Sequence, residues 1–94
     1  MEQLKKSNAP YEIEKYYFIR TVTMNLTGRL VAVYERELVL EDAAWIPSSG
    51  RFGRALISGD FDEVEPFPEG RQVIVGRGAL VDAVVIDRLP RSEK

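Results

Sequence analysis

The run Arg29-Leu30-Val31-Ala32-Val33-Tyr34-Glu35 is apolar on both sides of an extended chain, and this limits the fold more than any other stretch does. Successive side chains of a strand point to opposite faces. Leu30, Ala32 and Tyr34 then share one face, and Val31 and Val33 the other. Such a strand predicts cover on both sides for part of its length. Glu35-Arg36-Glu37 reads as a tight charged turn. The run Glu37-Leu38-Val39-Leu40-Glu41-Asp42-Ala43 returns as a strand with Leu38 and Leu40 on one face, and with Val39 and Glu41 on a face that reaches solvent.

The flanks of this hairpin speak the same grammar. Tyr16–Thr23 is rich in aromatic and β-branched residues, which favours a half-buried strand. Met24–Gly28 reads as a turn, because Asn25 and Gly28 tolerate positive φ. Further on, Val73 and Val75, then Val84 and Ile86, alternate on either side of Gly76-Arg77-Gly78, a kink of the kind found at a barrel corner. Between them, residues 48–70 are punctuated by Gly and Pro and read as an insertion. It holds one short helix over Gly50–Ile57, with Phe52 and Leu56 on one face, Ser48 or Ser49 as cap and Gly59 as stop. Pro66-Phe67-Pro68 forces extended backbone.

Five short strands with little helix predict a mainly β fold, a small, strongly bent antiparallel barrel. Closure also hides the edges that a small open sheet exposes. Residues 1–15 read as an arm or one short helix, capped by Ser7 or Asn8 across Tyr11–Lys15. Residues 16–90 form the single domain and 91–94 a tail.

Composition narrows the chemistry. The 94 residues include no Cys, which removes disulfides, thiol nucleophiles and zinc-thiolate sites. They include no His, the side chain best suited to proton transfer near neutral pH. No Ser, Tyr or Lys stands beside a base in a catalytic pattern, so no catalytic residue, cofactor or metal site is nominated and a non-enzymatic role is expected. The net charge of −2 offers nucleic acid no global attraction. No apolar run approaches the ~18 residues of a membrane span, and no signal-peptide core follows Lys5-Lys6, so a cytoplasmic location is the default expectation.

Two resemblances emerge from these motifs. Thr27–Tyr34 followed by Leu38–Ala43 resembles the first motif of the Sm-like (Lsm) proteins. The run Val73-Ile74-Val75-Gly76-Arg77-Gly78-Ala79-Leu80-Val81 resembles their second. That resemblance implies a five-stranded SH3-like barrel, subunit pairing through edge strands such as Val81–Ile86, and an RNA or nucleotide site at Arg77, Gly78 and Tyr34. Tyr34 occupies the place of the family's Asp and Glu37 that of its base-contacting Asn, where a carboxylate repels phosphate. The order of elements from Tyr16 to Pro90 also resembles short uncharacterised proteins encoded in phages, which implies a mobile-element origin.

Several residue groups remain as candidate sites. Asp60, Phe61, Asp62, Glu63, Glu65 and Phe67 form an acidic, aromatic-pinned segment suited to protein–protein contact, with inhibition of a host defence system as one outcome. The plainer reading is a solvated loop with hydrophobic anchors. Trp45, Phe52, Phe61 and Phe67 are expected to close one mouth of the barrel, or to form a binding hot spot where exposed together. Arg51 and Arg54, with Arg71, are expected to be compensated by acidic neighbours. Arg77 is expected either to line a ligand pocket or to pair with Asp82 or Glu37.

Overall fold

Strands are the main regular structure of the described residues, and they assemble into one sheet. The computed structural model describes residues 10–94. In chain order come β1 (Tyr16–Thr21), β2 (Asn25–Val33), β3 (Glu37–Ser48), α1 (Phe52–Ser58), β4 (Glu63–Pro66), β5 (Val73–Gly76), a 3-10 turn (Arg77–Ala79) and β6 (Leu80–Ile86). Every pairing is antiparallel, in the order β4-β3-β2-β1-β6. β3 is 12 residues long, enough to hold β5 along Glu37–Leu40 and β4 along Ala44–Ser48.

The fold is mainly β, as the sequence predicts, with three corrections. Among the described residues there are six strands rather than five, because Glu63–Pro66 pairs with β3 instead of forming loop. Pro66 is tolerated there because β4 has no second sheet strand beyond it. The reversal after β1 falls on Val22-Thr23-Met24, where the Thr21 hydroxyl donates to Met24 O at 2.8 Å and accepts from Met24 N–H at 3.0 Å. Asn25–Gly28 is thereby free to pair with β1 rather than turn. Among the described residues, no ladder joins β6 to β4 or β5, so the sheet is an open path and not a ladder-closed barrel. Two bonds tie the 3-10 turn to neighbouring turns: Val22 N–H to Ala79 O at 2.9 Å and Arg77 N–H to Arg36 O at 2.8 Å.

Bulges decide which side chains reach the core. In β3, Asp42 and Ala43 together face Gly28, and Asp42 takes a left-handed φ of 52°. Gly28 lets the strands approach closely at this crossing, since a Cβ there would stand 3.0 Å from Leu40 Cβ. A second register shift gives β2 one extra residue at Val31. It turns both Leu30 and Val33 into the same core, where uninterrupted alternation would have put them on opposite faces.

Both faces of the sheet are covered. The first core gathers Tyr17, Ile19, Leu26, Leu30, Val33, Leu38, Leu40, Ala43 and Val75 within the bend. The second gathers Phe18, Ala44, Ile46 and Ile86 under Ala55, Phe61 and Val64. The segment 48–70 is therefore half of a core rather than an appended loop. Its helix starts without a side-chain cap, at Arg51 rather than Ser48 or Ser49. It ends as expected on Gly59, at φ 76° with its N–H bonded to Ala55 O.

Of the arm, residues 10–15 are described. The proposed caps Ser7 and Asn8 lie outside the described residues, and Tyr11–Lys15 forms a turn, not a helix. Glu14 N–H reaches Leu30 O at 2.6 Å and Lys15 O accepts from Leu30 N–H at 3.0 Å, so backbone pairing with β2 outcompetes the helical turn.

Candidate protein-binding surface

The acidic segment divides into anchors and free carboxylates. Phe61 is 1% exposed and stacks on Phe18, with ring centroids 5.5 Å apart and planes 10° from parallel. A ring held in that stack has no face left for a partner, so Phe61 leaves the candidate binding set. Phe67 is half-buried against the first core. Asp60 follows the helix stop and is paired with Lys94. The hydrogen bond from Lys94, then its charge, hold the Asp60 carboxyl below the usual carboxylate range. Asp62, Glu63, Glu65 and Glu69 are exposed, and none makes an ion pair among the described residues.

β-Pairing adds an aromatic to this surface. Trp45 stands directly opposite Glu65 in the β3–β4 register, and opposite side chains in a ladder share a face. Glu63 lies two residues from Glu65 and so on that face as well. Trp45 stays 42% exposed, because it falls past the end of the first core on a strand longer than its sequence pattern suggested. Phe52, 40% exposed, packs edge-on against Phe18 and under the Arg20 guanidinium instead. The four aromatics of the middle segment therefore do not close one mouth. Phe61 and Phe52 serve the second core, Phe67 the first, and Trp45 is left at the surface.

Arg77 is committed to structure. Its guanidinium donates to Tyr34 O at 2.9 Å and lies 5.3 Å from the Tyr11 ring centroid. The structure thus brings Arg77 and Tyr34 together through the Tyr34 carbonyl, with Gly78 in the adjoining 3-10 turn. The expected pairing of Arg77 with Asp82 or Glu37 is not formed. Asp82 is taken by Arg20, which grips both of its oxygens. That hydrogen bonding, outweighing the opposing desolvation, lowers the Asp82 pKa. The contribution of this pair to stability is present at neutral pH and is lost as pH falls through the lowered value.

Other clusters are saturated or shallow. Arg29 is shared by Glu14, Glu41 and Asp42, and Gln72 donates to Glu41 at 3.1 Å. Among the described residues no group of acidic side chains is arranged to hold a metal ion. A shallow cleft of about 220 Å³ lies between Glu14–Tyr16 and Val85–Asp87, below the roughly 300–1,000 Å³ of ordinary ligand pockets. No helix of the described residues is long and apolar enough to cross a membrane.

The sequence reading missed Arg91 and Lys94. Arg91 donates to Ala43 O at 2.6 Å and to Phe67 O at 3.2 Å, and Lys94 exchanges two backbone bonds of 2.9 Å with Val64. Nothing in a short polar stretch after Leu89-Pro90 signals docking, because each of these bonds ends on backbone or on Asp60 across the fold. Comparison with protein families, curated proteins and solved structures finds no match to this chain.

Proposed function

We propose that the chain is a non-enzymatic protein-binding domain that docks a basic partner on the β3–β4 face, with Trp45 as the anchor and Glu63 and Glu65 as the charged flank. The half-exposed Trp45 on the β3–β4 ladder, beside carboxylates that make no ion pair among the described residues, carries this reading. Trp and Arg dominate interface hot spots because a large rigid side chain buries much area at little entropic cost. Exposed carboxylates speed encounter with a cationic partner and weaken with salt. The resemblance to phage-encoded proteins points to a host protein, whose inhibition would be the consequence of capture.

The test is affinity capture from host lysate, compared among the wild type, Trp45→Ala and the pair Glu63→Gln/Glu65→Gln. A hot-spot Trp contributes at least about 2 kcal/mol, so proteins retained by the wild type should fall roughly 30-fold with Trp45→Ala. The same retained set for all three baits would reject the surface.

A second reading, an Sm-like oligomer binding RNA or a nucleotide, is favoured by two open edges. β5 exposes Ile74 and β6 exposes Val81 and Val85, apolar residues on strands with a free side. The strand order and the 3-10 turn between β5 and β6 support an SH3-like arrangement. The engagement of Arg77 by Tyr34 O counts against a nucleotide there. Native mass spectrometry without nuclease treatment separates the two: a ring carrying RNA or nucleotide supports the second, a monomer or dimer free of both removes it.

A further inference from the structure

The outer side of β4 is already occupied, and the way it is occupied describes a ligand. Phe67 N–H bonds Ala43 O at 2.9 Å, so the alternate residues Phe67 and Glu65 turn their backbone to β3 and Val64 turns its backbone away. That outward N–H and C=O both bond Lys94, each at 2.9 Å, as in one ring of an antiparallel ladder. On one side of this ring lies Pro66, which has no N–H to offer, so the ladder cannot extend past it with full pairing. Two charged grips flank it. The Ala43 and Phe67 carbonyls receive the Arg91 guanidinium, and the Asp60 carboxylate receives the Lys94 ammonium.

We infer that the outer edge of β4 is a strand-addition site for an extended peptide carrying Arg and Lys three residues apart, and that residues 91–94 of the chain fill it in cis. The inference rests on the reading of the β3–β4 region as the docking surface and names its partner more closely. Two carbonyls fit a planar guanidinium, a lone exposed carboxylate fits an ammonium, and the Val64 pair fixes the strand between them. Backbone bonds of this kind supply affinity while flanking contacts choose the sequence. A segment tethered in cis competes at an effective concentration in the millimolar range, so a partner gains access only to the fraction of molecules with the edge free.

The test uses the full chain, a variant lacking residues 91–94, and two acetylated peptide amides as probes, Arg-Ser-Glu-Lys and Ala-Ser-Glu-Ala, followed by amide NMR. In the truncated variant the Val64 amide should exchange at least tenfold faster than in the full chain. The first peptide should bind that variant at least tenfold tighter than the full chain, with shifts centred on Val64, and at least tenfold tighter than the second peptide. Unchanged Val64 exchange, or an intact β4 spectrum that the first peptide does not shift, overturns the site. Should truncation unfold the chain, full-length Lys94→Pro removes the donor to Val64 O, and the same faster exchange of Val64 is required of it. Trp45→Ala separates the two readings, because it strips the docking face but spares the β4 backbone. Peptide failure alongside Trp45-dependent capture rejects only the edge site; peptide binding with Trp45-independent capture rejects only the docking face.

Discussion

On one face of the sheet, Tyr17, Ile19, Leu30, Leu38 and Leu40 bury one another within the bend of the strands that carry them. On the other, Phe18, Ala44 and Ile86 are covered by Ala55, Phe61 and Val64, which arrive from α1 and the residues after it. The first core is made mainly by the ladder, with Tyr11 and Phe67 packed against its margin. The second exists only if a segment weak in regular structure returns to the sheet, with a helix of 7 residues that lacks a side-chain cap. A helix this short is not stable by itself. The second face therefore depends on a few large pins, and Phe61 is the largest of them contributed by that segment.

Phe61→Ala is the sharpest way to break that dependence. Loss of a fully buried Phe costs roughly 3–5 kcal/mol, a large part of the ~5–15 kcal/mol that holds a small domain. Urea unfolding should show the largest drop for this variant, with hydrogen exchange over Ala55–Val64 accelerating more than over β1 and β2. Equal acceleration everywhere would mean that the two cores unfold as one, and the contrast between them would disappear.

The second break is aimed at the first core. Gly28→Ala places a Cβ 3.0 Å from both Leu40 Cβ and Leu40 Cδ1 and 3.3 Å from Ala43 Cβ. Overpacking of this kind costs roughly 1–3 kcal/mol. Gly76→Ala is the control, since its φ is −69° and a Cβ there meets nothing within 4 Å. It should be neutral, or stabilising by a few tenths of a kcal/mol through the unfolded state. The sequence alone ranks these glycines the other way, with Gly76-Arg77-Gly78 as the bend.

That inversion illustrates what could be read in advance. The strand cores around Tyr17–Ile19, Leu30–Val33, Leu38–Leu40 and Leu80–Ile86 were legible, because local alternation and β-branched residues report on strand formation directly. Register was not. The left-handed Asp42 and the extra residue at Val31 shift faces by one position, and their cause is the fit between β2 and β3 rather than any local signal. The same limit hid β4, whose Val64 and Pro66 look like loop until β3 extends to Ser48 beside them. Of the candidate site, Glu63 and Glu65 were legible as acidic and exposed. Trp45 entered their face only through cross-strand pairing, and Phe61 left it because Phe18 was waiting on the sheet.

The smallest effect expected tests how well the second core is made. Thr27 is 0% exposed in the row between Phe18 and Ala44, and its hydroxyl finds no hydrogen-bond partner among the described residues. A buried hydroxyl left unpaired costs about 1–3 kcal/mol, whereas valine of nearly the same shape carries no such debt. Thr27→Val should therefore raise stability by about 1 kcal/mol, which for a chain of this length is a Tm increase of roughly 4–8 °C. Thr27→Ser keeps the hydroxyl and deletes the methyl, so it should lower Tm. If valine instead lowers Tm, the hydroxyl has a partner in solution, and the second face is held by a polar contact as well as by its pins. If both substitutions leave Tm unmoved, the row beneath Phe61 is loosely packed, and the second core is held by the Phe18–Phe61 stack and the contacts of Ala55 and Val64 rather than by Thr27.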